Sequence, residues 1–64
     1  MYIAASTMTE TQRRAYGVGK DAAKAGMNPE QRDRELNRIV AEGTLPDTRE
    51  VDRFALMGYA SASS

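Results

Sequence analysis

Apolar positions recur at helical spacing in three stretches of the chain, and no stretch alternates as a strand would. In the first, Ala15, Val18, Ala22 and Ala25 fall at i, i+3, i+7 and i+10, with Tyr16 beside them. That face is built of small side chains, which lets another helix approach closely. In the second, a polar run from Glu30 to Glu35 leads into Leu36, Ile39 and Val40. In the third, Val51, Phe54, Ala55 and Gly58 share one face, flanked by Leu56, Met57 and Tyr59. The pattern predicts an all-α fold, a small three-helix bundle over residues 10–25, 29–42 and 48–59 with frayed termini.

The stops and starts between these stretches are written in local chemistry. Gly26 suits the left-handed position just past a helix C-terminus, where a β-carbon would clash. Asn28 can accept from the free amides of a new helix, and Pro29 at the first helical position lacks only an amide that would go unpaired. Gln31, three residues after Asn28, completes a capping box. Gly43 stops the second helix, Pro46 prevents its continuation, and Asp47 with Glu50 has capping-box spacing for the third. Thr9 with Gln12, or Thr7 with Glu10, offers the same device to the first. Gly17 and Gly19 each cost about 1 kcal/mol of helix propensity against alanine, which makes the first helix the weakest of the set.

The domain organisation read from this is a flexible leader over residues 1–8, one helical domain over 9–60, and a flexible tail over 61–64. Met8 is a second candidate translation start. Residues 1–5 lack the basic segment and long apolar run of a signal peptide, and no apolar stretch approaches the roughly 20 residues that span a bilayer. Among 64 residues, few large apolar side chains are available: Tyr16, Val18, Met27, Leu36, Ile39, Val40, Leu45, Val51, Phe54, Leu56, Met57 and Tyr59. So thin a core is either marginal alone or completed by a partner.

Charge and chemistry narrow the picture further. Nine basic and nine acidic side chains give a formal net charge of zero, without the basic excess that a sequence-independent grip on nucleic acid requires. There is no cysteine and no histidine, which removes disulfides, thiol catalysis, the usual zinc sites and the commonest general base. The cytoplasm is the expected compartment, and neither a cofactor nor a catalytic residue is expected. Gly17-Val18-Gly19-Lys20-Asp21 does not have the spacing of a phosphate-binding loop, and no strand precedes it. The carboxylate pairs lie in polar settings that would not raise a pKa for acid–base work. Arg13-Arg14 and the polar half of the second helix read as solvated faces, with Glu30–Arg34 and Arg38–Glu42 at ion-pairing distance along the helix.

The layout of helix, Gly26-Met27-Asn28-Pro29, helix, Gly43-Thr44-Leu45 and a capped last helix resembles the VbhA-like antitoxins of Fic toxins, over roughly residues 13–59. The resemblance implies a three-helix scaffold that wraps around a Fic-type AMP-transferase. In that family a Ser/Thr-x-x-x-Glu-Gly/Asn motif ends the first helix, and its glutamate pairs with a toxin arginine and blocks placement of the ATP γ-phosphate. Aligned on Gly26, the glutamate position here is Ala25 and the serine position Asp21. Glu42-Gly43 is a half-match at the end of the second helix, with Arg38 where Ser or Thr is wanted.

The resulting expectation is a small helical inhibitor, antitoxin-like or of phage or plasmid type, that neutralises a larger protein by covering its surface. Tyr16, Asp21, Lys24, Phe54, Met57 and Tyr59 are the candidate partner-binding residues. A helix-turn-helix module that reads nucleic acid is the alternative, although its third helix would offer only Arg49 and Arg53 as cations, with Glu50 and Asp52 between them. Homodimerisation through Phe54, Met57 and Tyr59 would also complete the core.

Overall fold

A computed structural model describes residues 8–63. Its helices are α1, Glu10–Lys24; α2, Pro29–Ala41; and α3, Arg49–Ser63. The order and type of element agree with the three-helix bundle expected from the sequence. Residues 1–7, most of the expected leader, and Ser64 lie outside the described residues.

The ends of α1 and α2 follow the local signals closely. At α1 the Thr9 hydroxyl accepts from the Gln12 amide at 3.1 Å, and Gln12 Oε1 accepts from the Thr9 amide at 2.9 Å. Asn28 and Gln31 exchange the equivalent bonds at α2, 2.8 and 3.0 Å. Both helices end in the same device. Gly26 and Gly43 take φ of +77° and +84°, and each donates its amide back into the last turn, to the Ala23 and Val40 carbonyls. The next residues, Met27 and Thr44, donate to Ala22 and Ile39. These are paired Schellman closures, which use up carbonyls a helix end would otherwise leave unpaired.

Two boundaries of α3 differ from expectation. Its start is capped by Thr48, whose hydroxyl accepts from the Val51 amide at 3.3 Å, and not by an Asp47–Glu50 box. Glu50 is engaged elsewhere, accepting from Gln12 Nε2 of α1 at 2.6 Å. Its end lies at Ser63 instead of Tyr59, so residues 60–63 form a last turn where a frayed tail was expected. Alanine has the highest helix propensity, and the Ser63 hydroxyl donates back to the Tyr59 carbonyl.

Packing centres on α1 against α3. The buried line of α1 is Ala15, Gly19 and Ala22, and that of α3 is Val51, Ala55 and Gly58. Both lines step i, i+4, i+7, and both are made mostly of residues with little or no side chain. The backbones therefore touch. A β-carbon on Gly19 would stand 1.7 Å from the Ala55 carbonyl oxygen, and one on Gly58 would stand 2.0 Å from that of Tyr16. No rotamer relieves a clash with main chain, so only glycine fits at either position. Gly19 therefore belongs to the seam that builds the fold and is not the liability its propensity suggests.

Around this seam, Leu36 of α2, Leu45 of the following turn and Val51 complete a buried cluster with Ala15 and Ala55. Val18, Ile39, Val40 and Phe54 pack against it half-buried. The candidate core thus needs correction at several positions. Tyr16, Met27 and Tyr59 are half-buried, Ala25 is exposed, and Leu56 and Met57 face solvent. The reason is the close approach itself: the inner line of α3 has room only for Val51, Ala55 and Gly58, so Phe54 is displaced to the flank and Leu56 and Met57 to the back.

Candidate functional site

The six candidate partner-binding residues do not converge on one surface. Tyr16 is half-buried at the crossing, with its carbonyl against Gly58. Lys24 is exposed in the last turn of α1. Phe54 packs on the core. Tyr59 has a structural duty: its hydroxyl donates to the Met27 carbonyl in the α1–α2 turn at 2.6 Å, and the Arg32 guanidinium lies over its ring, 4.7 Å from the centroid. One side chain of α3 thereby ties down both the turn and the start of α2. Asp21, Lys24 and Met57 are the candidates on open surface, and Asp21 and Met57 belong to two different places.

Asp21 stands on the rim of a shallow groove along the seam of α1 and α2. Near the α1–α2 turn its floor is Val18, Ala22, Ala25, Met27 and Ile39. The same Val18 and Ile39 continue it toward Thr44 and Leu45, and Met27 and Glu35 continue it along α2 to Arg34 and Arg38. The groove exists because α2 touches the rest of the molecule mainly through Leu36, its one buried residue. Val18 and Ile39 have the same periodicity as true core residues, so the sequence offers no signal that they are left half-open; Met27 joins them from the turn.

Met57 belongs with Leu56 on the back of α3, where the two are 45% and 47% exposed, the only exposed large apolar side chains among the described residues. Arg49, Arg53 and Ala60 are exposed on the same helix.

Ion pairs flank the groove: Arg38 binds Glu42 at 2.8 Å and also Glu35, and Arg14 binds Glu10 at 3.0 Å. Away from it, Arg32 binds Asp33 at 3.0 Å. Of the two pairs expected on α2, Arg38–Glu42 forms, whereas Arg34 has no side-chain partner among the described residues. The hydrogen bond from Arg38 holds the Glu35 carboxyl below its ordinary value, and the same bond raises Arg38. Neither shift has the character of a catalytic group, because both come from a solvated surface pair. Among the described residues no cluster of three or more acidic side chains could hold a metal ion, and no helix is long and apolar enough to cross a membrane.

Seven residues, 42–48, separate α2 from α3, against the three or four of a helix-turn-helix. Arg13, Lys20, Lys24, Arg34, Arg49 and Arg53 have no hydrogen-bonding or ion-pair partner for their side chains among the described residues. They are distributed over all three helices and do not gather into one basic patch at the start of α3. No family model, curated protein or solved structure matches the chain.

Proposed function

We propose that this chain is a small helical protein-binding module that neutralises a larger protein by covering part of its surface, in the manner of antitoxins and of phage- or plasmid-type inhibitors. The observation that carries the reading is the apolar surface the fold leaves uncovered. Val18, Met27 and Ile39 floor the groove, and Leu56 and Met57 stand out from α3. In a chain with so few large apolar residues, leaving these half-open or exposed gives up stabilisation at roughly 25 cal/mol per Å². A partner that covered them would recover it.

A Fic-type AMP-transferase is the partner class that the sequence resemblance implies. Ala25, at the position of that family's glutamate, is the exposed C-cap of α1, and its amide donates to the Asp21 carbonyl at 2.9 Å. A methyl side chain there cannot pair with an arginine, so any block of such an enzyme by this chain acts through coverage of its surface and not through the glutamate. The partner is sought in the cytoplasm.

The test is affinity purification of the tagged full chain at native expression level from its source cells, followed by sedimentation of what is eluted. A stoichiometric complex with one larger protein, whose activity falls on adding the purified chain, is the expected result. A lone monomer with a cooperative melt and no retained protein would sink the reading.

A further inference from the structure

We propose that the outward face of α3 docks an acidic, amphipathic segment of a partner protein; the proposal rests on the protein-binding reading and names the chemistry of the partner. At about 100° per residue, Arg49, Arg53, Leu56, Met57 and Ala60 fall on the side of α3 opposite the buried line of Val51, Ala55 and Gly58. All of the outward residues are exposed. The face therefore carries two cations on its midline toward the N-terminal end, with Leu56 and Met57 on either side of that line.

What covers this face is indicated by its charge. Neither arginine has a partner among the described residues. The acids nearest in sequence do not neutralise them: Glu50 is turned toward α1 by its 2.6 Å bond from Gln12, and Asp52, at the flank, forms no ion pair. Both charges on the outward stripe are thus positive, and a surface that buried Leu56 and Met57 would have to supply carboxylates to Arg49 and Arg53.

Symmetric pairing through α3 does not supply them: antiparallel pairing of two α3 helices about Leu56 and Met57 sets Arg53 opposite Ala60, and parallel pairing sets arginine against arginine. An anionic membrane is disfavoured because the face offers only two large apolar side chains, where a helix lying in a bilayer interface buries a whole apolar face. The occupant that fits is a helix or extended segment with apolar anchors and acidic residues beside them.

The decisive experiment selects binders from a displayed library of random peptides on the immobilised full chain, then measures selected peptides by fluorescence anisotropy. The expected outcome is enrichment of peptides rich in Asp and Glu with apolar residues at helical spacing, whose binding weakens with salt. Leu56→Ser and Met57→Ser, at exposed positions that leave the fold and its circular dichroism intact, each weaken binding by about tenfold. Arg49→Gln with Arg53→Gln abolishes the preference for acidic peptides. Enriched peptides that lack acidic residues, or that bind the α3 variants unchanged, overturn the proposal and leave the protein-binding reading standing. A library from which nothing enriches counts against both. Concentration-dependent self-association that Leu56→Ser removes, or co-sedimentation with phosphatidylglycerol vesicles with no peptide bound, would assign the face to a second copy or to a membrane and overturn the proposal.

Discussion

The two seams of α1 are built on opposite principles. Toward α3 the contact is backbone on backbone, through Gly19 and Gly58, with Ala15, Ala55 and Val51 filling the remaining space. Toward α2 the contact runs through a few larger side chains, with Leu36 buried, Val18 and Ile39 half-open, and a groove between the helices. A seam without side chains has no rotamers to change and no way to swell, so it fixes one geometry. A seam of half-buried aliphatic side chains can repack around a guest. The α1–α3 pair is therefore the frame, and the α1–α2 side is where the molecule is able to give.

The largest expected effect breaks the frame. Gly19→Ala or Gly58→Ala puts a methyl inside the van der Waals shell of a carbonyl on the opposite helix, and the helices must separate to admit it. The gaps left along the whole seam should cost about 3 kcal/mol or more, enough to unfold a domain of this size. Circular dichroism melts would check it. Retained cooperative unfolding at the wild-type midpoint would mean that the two backbones are not held in contact.

Phe54→Ala comes next. The only phenylalanine of the chain packs half-buried at the flank of the core, and so should cost about 2–3 kcal/mol, less than the roughly 3–5 of a fully buried ring. Urea unfolding of this variant beside Gly58→Ala ranks the two. A greater loss at Phe54 would mean that side-chain volume, not backbone contact, holds α3.

Tyr59→Phe tests the tie between the two seams. It keeps the ring under Arg32 but removes the hydroxyl that donates to Met27 in the α1–α2 turn. A loss of about 0.5–1.5 kcal/mol is expected, with amide exchange accelerating in α2 before it does in α3. Uniform acceleration through all three helices would argue that α2 is no looser than the frame.

Gly17→Ala should act in the opposite direction to Gly19→Ala. No atom outside its own helix lies within 4 Å of a β-carbon built at Gly17, so the change should stabilise α1 by about 0.5–1 kcal/mol through helix propensity alone. A rise in melting temperature is the expected readout.

This pair of glycines also marks where the sequence stops being legible. In sequence Gly17 and Gly19 are the same residue two positions apart in one helix, and only what α3 brings to each of them tells them apart. By contrast the capping boxes at Thr9 and Asn28 and the turns at Gly26 and Gly43 were readable because donor and acceptor lie within a few residues of each other. Glu50 fails as a capping partner for the complementary reason, since its bond is made to Gln12 on a distant helix. The groove was hidden likewise: Val18 and Ile39 have the spacing of core residues, and their exposure depends on how lightly α2 rests on α1. Of the candidate binding residues, Asp21 and Met57 lie on open surface because their positions follow from helical phase, whereas Tyr59 is taken up by a bond to a turn far away in the chain.

The smallest effect concerns the groove rim and its response to acid. The hydrogen bond from Arg38 lowers the Glu35 carboxyl below 4.5, its ordinary value. A carboxyl lowered by folding contributes stability that is complete above its unfolded pKa and is lost as the pH falls through the folded value. Arg38 is raised and stays charged throughout, so no matching loss occurs in the accessible alkaline range. The pair is solvated, and its contribution is correspondingly slight. Arg38→Gln should therefore be less stable than wild type at neutral pH, and the two should converge as the pH falls through the folded-state value of Glu35, until that carboxyl is protonated in folded and unfolded chains alike. Added salt at neutral pH should shrink the difference in the same way. A gap between the two urea curves that held constant from neutral to acid pH would show that Arg38 acts by packing its aliphatic stem along α2 rather than by charge, and the rim of the groove would then be as fixed as the glycine seam.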